Sequence, residues 1–195
     1  MTAQTTTILR DQNYVSGLED FCRRWVTPRT VLVELGCFGG ESTAIFARFA
    51  GKVFAVDPWA DDYRASIADG CADQSILDYL EQAPVPPMAE IERLFDARTA
   101  SFPNVVKHKE TAEAALSRFA DRSIDIVYID SIHTYEAVCR QIDQWRSKVR
   151  PGGVLAGHDY DPVAWPGVVR AVQEKLGTPP HLFGDTSWAH PRASW

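Results

Sequence analysis

Val31-Leu32-Val33-Glu34-Leu35-Gly36-Cys37-Phe38-Gly39-Gly40-Glu41-Ser42 is the stretch on which the reading of the fold turns. An apolar run broken only by Glu34 reads as a buried strand. The glycines read as a tight turn, and residues 42–49 as a helix with Ala44, Ile45 and Phe49 at helical spacing. Strand, glycine turn and helix in that order bring backbone close to a ligand at a helix N-terminus.

The same alternation continues outward. Residues 53–56 form a second buried strand that stops at Asp57-Pro58, since proline has no N–H for the ladder. Residues 104–108 make a third strand, followed by a helix over 111–119 with Thr111 as N-cap. A fourth strand, 124–129, ends at Asp130, and a long helix is expected over 134–149. Pro151-Gly152-Gly153 then turns into a fifth strand, 154–157, that ends at His158-Asp159. A helix over 165–176 carries Pro166 near its first turn, and 181–183 with 187–190 form a closing antiparallel pair. Strands alternating with helices predict an α/β fold: a doubly wound, mostly parallel seven-stranded sheet with helices on both faces. Residues 1–195 read as a single domain. Within it, 60–103 looks like an insertion, with helices near 74–82 and 88–97 around the proline-rich 83–87. It either covers the site or merely elaborates the surface.

Bulk properties narrow the function classes. A formal charge of −6 and the lack of any Lys/Arg run speak against a nucleic-acid partner, whose phosphates need clustered cations. Cys22, Cys37, Cys71 and Cys139 are scattered without zinc-ligand spacing. No apolar run approaches the ~20 residues of a membrane span, and residues 1–7 lack the regions of a signal peptide. A cytoplasmic protein with no membrane partner is expected.

Glu34 and Asp57 define the ligand expected at the glycine turn. Asp57 ends the second strand 21 positions after Gly36, where an acid can accept hydrogen bonds from both ribose hydroxyls. A dinucleotide site shares that spacing, but Phe38 stands where its middle glycine would be, and Glu34 would repel a pyrophosphate. A cationic amino-acid ligand suits Glu34 better. S-adenosylmethionine, with an ammonium and a sulfonium, fits, and a nicotinamide-dependent oxidoreductase is disfavoured. On these residues the chain resembles the class I S-adenosylmethionine-dependent methyltransferases, which share a Rossmann-like fold. Glu34-x-Gly36-x-x-x-Gly40 matches that family's first motif. The resemblance implies that Glu34, Gly36, Cys37, Phe38, Gly39, Gly40 and Ser42 surround the methionine moiety and that Asp57 binds the ribose. Pro58 and Trp59 would pack on the adenosine or on the core, Thr111 and Glu113 would wrap the adenine, and Asp130 would border the cofactor.

The chemistry is expected at Asp130-Ser131-Ile132-His133 and His158-Asp159. Asp130 and Asp159 end successive strands and so gather at one rim of the sheet, where clustered carboxylates call for a cation. The pattern resembles a metal-dependent branch of small-molecule O-methyltransferases of the macrocin and mycinamicin type, with catechol O-methyltransferase more distant. The resemblance implies Asp130 and Asp159 as magnesium ligands and His133, helped by Asp130, as the catalytic base. His158 stands where that branch usually has an acid. As a ligand it would favour manganese, iron or zinc. The expected reaction is methyl transfer to a hydroxyl of a sugar-like or catechol-like small molecule, in a protein that leans toward a homo-oligomer. Two other readings share the residues: a hydroxylase-like relative of cephalosporin hydroxylase, and a non-catalytic S-adenosylmethionine-binding protein. Trp188, His190 and Trp195 would line an acceptor pocket or close the core.

Overall fold

The central strands are buried along nearly their whole length, so their alternate side chains fill a core on each face of the sheet. The computed structural model describes residues 12–60, 69–72, 86–176 and 181–192. In chain order the elements are α1 (Gln12–Trp25), β1 (Val31–Leu35), α2 (Glu41–Phe49), β2 (Lys52–Val56), α3 (Met88–Thr99), β3 (Val105–His108) and α4 (Ala112–Ala115). There follow β4 (Ile124–Ile129), α5 (Tyr135–Trp145), β5 (Val149–Gly157), α6 (Pro166–Leu176), β6 (His181–Leu182) and β7 (Trp188–Pro191). The seven strands lie in the order β3-β2-β1-β4-β5-β7-β6. The first five are mutually parallel, and β7 runs antiparallel to both β5 and β6.

Val33 and Leu35 of β1, with Val127 and Ile129 of β4, face one layer and pack with Ile142 and Trp145 of α5 and Val168 of α6. Leu32, Ile126 and Tyr128 face the other, against Leu18 and Phe21 of α1 and Phe46 of α2. Helices therefore cover both faces, as the alternation predicts. The chain runs outward from β1 through β2 to β3, then returns to β4 on β1's other side. That reversal opens a crevice beyond the carboxyl ends of β1 and β4, the usual ligand position in such sheets.

Several boundaries differ from the sequence reading. The helix expected over 134–149 ends at Trp145, closed by Lys148 N–H to Trp145 O at 2.9 Å. The fifth strand starts at Val149 and runs through Pro151-Gly152-Gly153, where the pairing with β4 shifts register. Gly153 allows this because a Cβ there would lie 2.6 Å from Asp125 O. The helix after Thr111 breaks into α4 and a 3-10 turn over Leu116–Arg118. Helix α1 was not anticipated. Its buried residues Leu18, Phe21 and Cys22 have helical spacing, but Gly17 and four charged residues interrupt the pattern. The helix expected near 88–97 is α3, while the one near 74–82 lies outside the described residues. Among the described residues, no helix is long and apolar enough to cross a membrane.

Candidate functional site

At the glycine turn the acids hold the backbone itself. Gly36 has φ 86°, and a Cβ there would lie 2.0 Å from the Asp130 carbonyl oxygen, so only glycine lets the loops after β1 and β4 meet. Phe38, at φ 42°, also occupies the left-handed region, at a cost of about 1–3 kcal/mol. Asp57 offsets that cost. Its Oδ2 accepts the N–H groups of Cys37 at 2.9 Å and Phe38 at 3.0 Å, and its Oδ1 accepts Trp59 N–H at 2.7 Å. Burial raises the Asp57 carboxyl above its ordinary range, against the pull of those three donors. Trp59 Nε1 closes the loop on Phe38 O at 2.9 Å.

Glu34 is fully buried beneath this turn. Its carboxylate takes hydroxyl hydrogen bonds from Ser42 and Thr43 in the first turn of α2, so the acid fastens β1 to that helix. Thr43 was not foreseen as its partner. Cys37 is buried with its thiol toward the Glu34 and Val56 carbonyls, and burial holds that thiol well above the usual range. Helix α3, part of the expected insertion, seals the turn from above. Arg98 donates to Gly39 O, and Phe95 lies where a Cβ on Gly40 would come within 2.9 Å. Trp59 is buried between the turn and Phe95, with Lys107 Nζ 4.8 Å from its ring centroid. Pro58 is exposed. Thr111, also exposed, caps α4 by accepting Ala114 N–H at 3.2 Å, and Glu113 faces solvent beside it.

The rim of β4 and β5 gathers the other four residues into one cluster. His133 Nε2 lies 2.7 Å from Asp159 Oδ2 and 3.6 Å from Asp130 Oδ1. His158 Nδ1 lies 3.1 Å from Asp159 Oδ1 and 3.8 Å from Asp130 Oδ1. Asp159 reaches both imidazoles because its backbone turns left-handed at φ 60°, a conformation Asp tolerates better than most residues. The Trp165 ring flanks His133 with centroids 4.5 Å apart, and a Cβ on Gly70 would come within 2.9 Å of the His133 carbonyl carbon. Trp188 and His190 are buried with the core, and Trp188 Nε1 donates to His158 O at 3.2 Å. Trp195 lies outside the described residues.

The electrostatics of this cluster are unlike those of the turn. Burial pulls the His133 imidazole down, but Asp159 and Asp130 together outweigh it and push it up to about 10. Asp159 shows the converse: burial would raise it, yet His158 and His133 hold it well below the usual carboxylate range. Ligand atoms of Asp130, His133 and Asp159 all lie within 4.8 Å of one another, a spacing that one cation can bridge. Neither buried ring nitrogen of His133 makes a well-directed hydrogen bond, despite the 2.7 Å approach to Asp159. Donors crowded together but poorly aimed at each other fit a divalent cation between them.

A family model for a methyltransferase domain matches residues 33–160, from β1 through the rim of β5. The chain belongs to this family. Among solved structures, the methyltransferase domain resembles apo CalS11, a TDP-rhamnose 3'-O-methyltransferase of calicheamicin biosynthesis. The TM-score is 0.59 at 18% identity, covering 93% of this chain and 81% of that one. Cofactor-bound Rv0187 from MTB gives a TM-score of 0.57 at 18% identity, covering 94% and 79%. An S-adenosylmethionine-dependent O-methyltransferase of Thermotoga maritima gives 0.55 at 15% identity, covering 85% of this chain but only 50% of that one. The chain thus spans about half the length of the Thermotoga protein. At these identities the likeness establishes the fold. No curated protein sequence matches the chain.

Proposed function

We propose that this methyltransferase domain transfers the methyl group of S-adenosylmethionine to a hydroxyl of a saccharide or glycosylated small molecule. The observation that carries the reading is the meeting of Asp130, His133, His158 and Asp159 beside the glycine turn, at the crevice between β1 and β4. A sugar O-methyltransferase and an S-adenosylmethionine-dependent O-methyltransferase among the fold neighbours support it.

In this reading the glycine turn, residues 36–40, cradles the methionine end of the cofactor, with the first turn of α2 behind it. Glu34 is too buried for contact and contributes its negative charge, which favours a cationic ligand. Asp57 has about four lone-pair sites, of which backbone donors use three, and the remaining one suits a ribose hydroxyl. Pro58 flanks the adenosine, Trp59 backs the turn from the core, and Thr111 and Glu113 lie further out toward the adenine.

Asp130 and Asp159 are the residues that would hold a divalent metal, with His158 Nδ1 beside them at 3.8 and 3.1 Å. His133, whose Nε2 shares their spacing, serves as the base instead of a ligand. When bound, such an ion lowers the pKa of a coordinated hydroxyl. His133 accepts the acceptor's proton on Nε2. The acceptor oxygen then forms the new bond to the methyl carbon as the carbon–sulfur bond breaks and its electron pair returns to sulfur. A methyl ether, S-adenosylhomocysteine and a protonated His133 result. An imidazole pushed up to about 10 is already protonated at neutral pH and is no base. Positive charge shared with Asp130 and Asp159 removes that pull, which is why the reading pairs the base with a metal. Positioning the collinear acceptor, methyl and sulfur is worth about 7–11 kcal/mol in such sites.

Calorimetry with S-adenosylmethionine tests the cofactor, since micromolar binding releases about 8 kcal/mol of free energy. A mass-spectrometric screen of nucleotide sugars and glycosides, with and without chelator, tests the reaction. Failure to bind S-adenosylmethionine would defeat the whole reading, and chelator-insensitive turnover would defeat its metal half.

A further inference from the structure

The plane of the His133 ring is not fixed by its nitrogens, since both are buried and neither makes a well-directed hydrogen bond. The torsion that turns an imidazole about its Cβ–Cγ bond is broad, so an unrestrained ring swings Nε2 through the site. A reacting group misplaced by about 1 Å can cost 10²-fold in rate. The restraint has to come from packing, and Trp165 supplies it. Its buried indole lies beside the His133 ring with centroids 4.5 Å apart and planes inclined by 40°. Trp165 is itself held at the start of α6. Its N–H donates to Asp161 O at 2.9 Å, and its carbonyl accepts Val168 N–H at 3.0 Å. Asp161 Oδ1 accepts the N–H groups of Val163 and Ala164 at 2.8 and 3.1 Å, which sets the loop that delivers the indole.

The His133 backbone is gripped as well. A Cβ on Gly70 would lie 2.9 Å from the His133 carbonyl carbon and 3.1 Å from its Cβ. One on Gly167, in the first turn of α6, would lie 3.4 Å from the His133 carbonyl oxygen and 2.9 Å from Tyr135 N. Two segments far apart in the chain therefore close on the same peptide, each with a glycine at the contact. Residues 69–72 are tied to the Trp165 loop, because Ala72 N–H donates to Ala164 O at 2.9 Å. The stretch 60–103, which by sequence either covers the site or elaborates the surface, thus bears on the base through one of its described segments.

We propose that Trp165 is a positioning residue for methyl transfer, its indole setting the plane of the His133 ring while Gly70 of the segment 69–72 holds the His133 backbone. The inference rests on the role of His133 as base in the proposed function. Trp165 acts through His133 and leaves the acceptor's own contacts to other residues.

The first test needs no acceptor. In the full chain with 13C-labelled histidine, NMR relaxation of the His133 ring carbons, identified by their loss in His133→Gln, reports the order of the ring. The ring is ordered in the wild type, mobile in Trp165→Leu and ordered again in Trp165→Phe, which restores a flat neighbour. An equally ordered ring in Trp165→Leu overturns the proposal. The second test is kinetic, with the glycoside or nucleotide sugar found to be methylated. Trp165→Leu lowers kcat about 10²-fold and leaves the acceptor KM within about twofold, and Trp165→Phe recovers most of the loss. In a His133→Ala background Trp165→Leu costs no further turnover, because it acts only through His133. Equal losses in both backgrounds would make Trp165 merely structural and overturn the proposal. Gly70→Ala, which pushes on the His133 backbone and leaves Trp165 intact, carries both tests if Trp165→Leu does not fold. If no acceptor is methylated, the proposed function fails alone, and the order of the ring decides the positioning claim.

Discussion

Both ends of the crevice are acidic, yet the two acidic groups do opposite work. At the glycine turn Glu34 and Asp57 are buried and engaged by hydroxyl and backbone donors from their own neighbourhood. At the rim of β4 and β5, Asp130 and Asp159 face two imidazoles and remain partly accessible, with side-chain exposures of 14% and 15%. Acids that satisfy backbone donors build a cradle. Acids that crowd titratable rings hold charge in reserve for a ligand or a reaction. Substitutions should therefore separate the two ends: turn residues through stability, rim residues through turnover.

The largest expected effect is at the rim. His133→Ala lowers methyl-transfer turnover by about 10²–10⁴-fold, the usual contribution of a positioned general base. Acceptor affinity, measured by calorimetry, stays near the wild-type value. Unchanged turnover would remove His133 from the chemistry and erase the contrast. The next effect belongs to the turn. Gly36→Ala forces a side chain into the left-handed region and against the Asp130 carbonyl. We expect a loss of about 2–4 kcal/mol in denaturant unfolding, from backbone strain plus overpacking.

How much of this was legible follows from where each partner lies in the chain. The glycine turn, the strand ends and the meeting of Asp130, His133 and Asp159 are local patterns placed by a regular topology, so the sequence pointed to them. Asp57 was legible as an acid at the right spacing, but its role in holding Cys37 and Phe38 depends on a backbone path visible only after folding. Thr43 was hidden because the strand pattern alone does not say which way Glu34 faces. Asp185, buried in the turn between β6 and β7, left no signal at all, since β6 has only two residues and that turn gains meaning from α1 and β4 packing around it. Helix α1 was obscured by Gly17, whose presence answers to Asp185 rather than to helix propensity.

Asp57→Asn sharpens the comparison on a smaller scale. The amide keeps one acceptor oxygen but sets its NH2 group against either the Trp59 N–H or the N–H groups of Cys37 and Phe38. Leaving a buried donor unpaired costs about 1–3 kcal/mol. Melting should fall by about 2–4 °C per kcal/mol lost in a domain of this size. A wild-type melting temperature in Asp57→Asn would mean that the turn does not depend on this carboxylate.

The effect that contrasts the ends most directly is in the pH dependence of stability. His133 is raised from 6.5 to about 10, so folding gains from its protonation. That contribution is fully present below pH 6.5 and is lost as the pH rises through about 10. Asp159, held low, contributes above its ordinary 3.8 and loses its contribution as the pH falls. Asp57, raised by burial, has the opposite sign, and its ionisation weakens the fold as the pH climbs above 3.8. In chelator-treated protein the melting temperature should therefore decline between pH 6.5 and 10, and His133→Gln should flatten that decline while leaving the acid limb of Asp57 in place. A decline of the same size in His133→Gln would mean that the rim imidazole carries no such charge, and the division between a self-satisfied turn and a charged rim would fall with it.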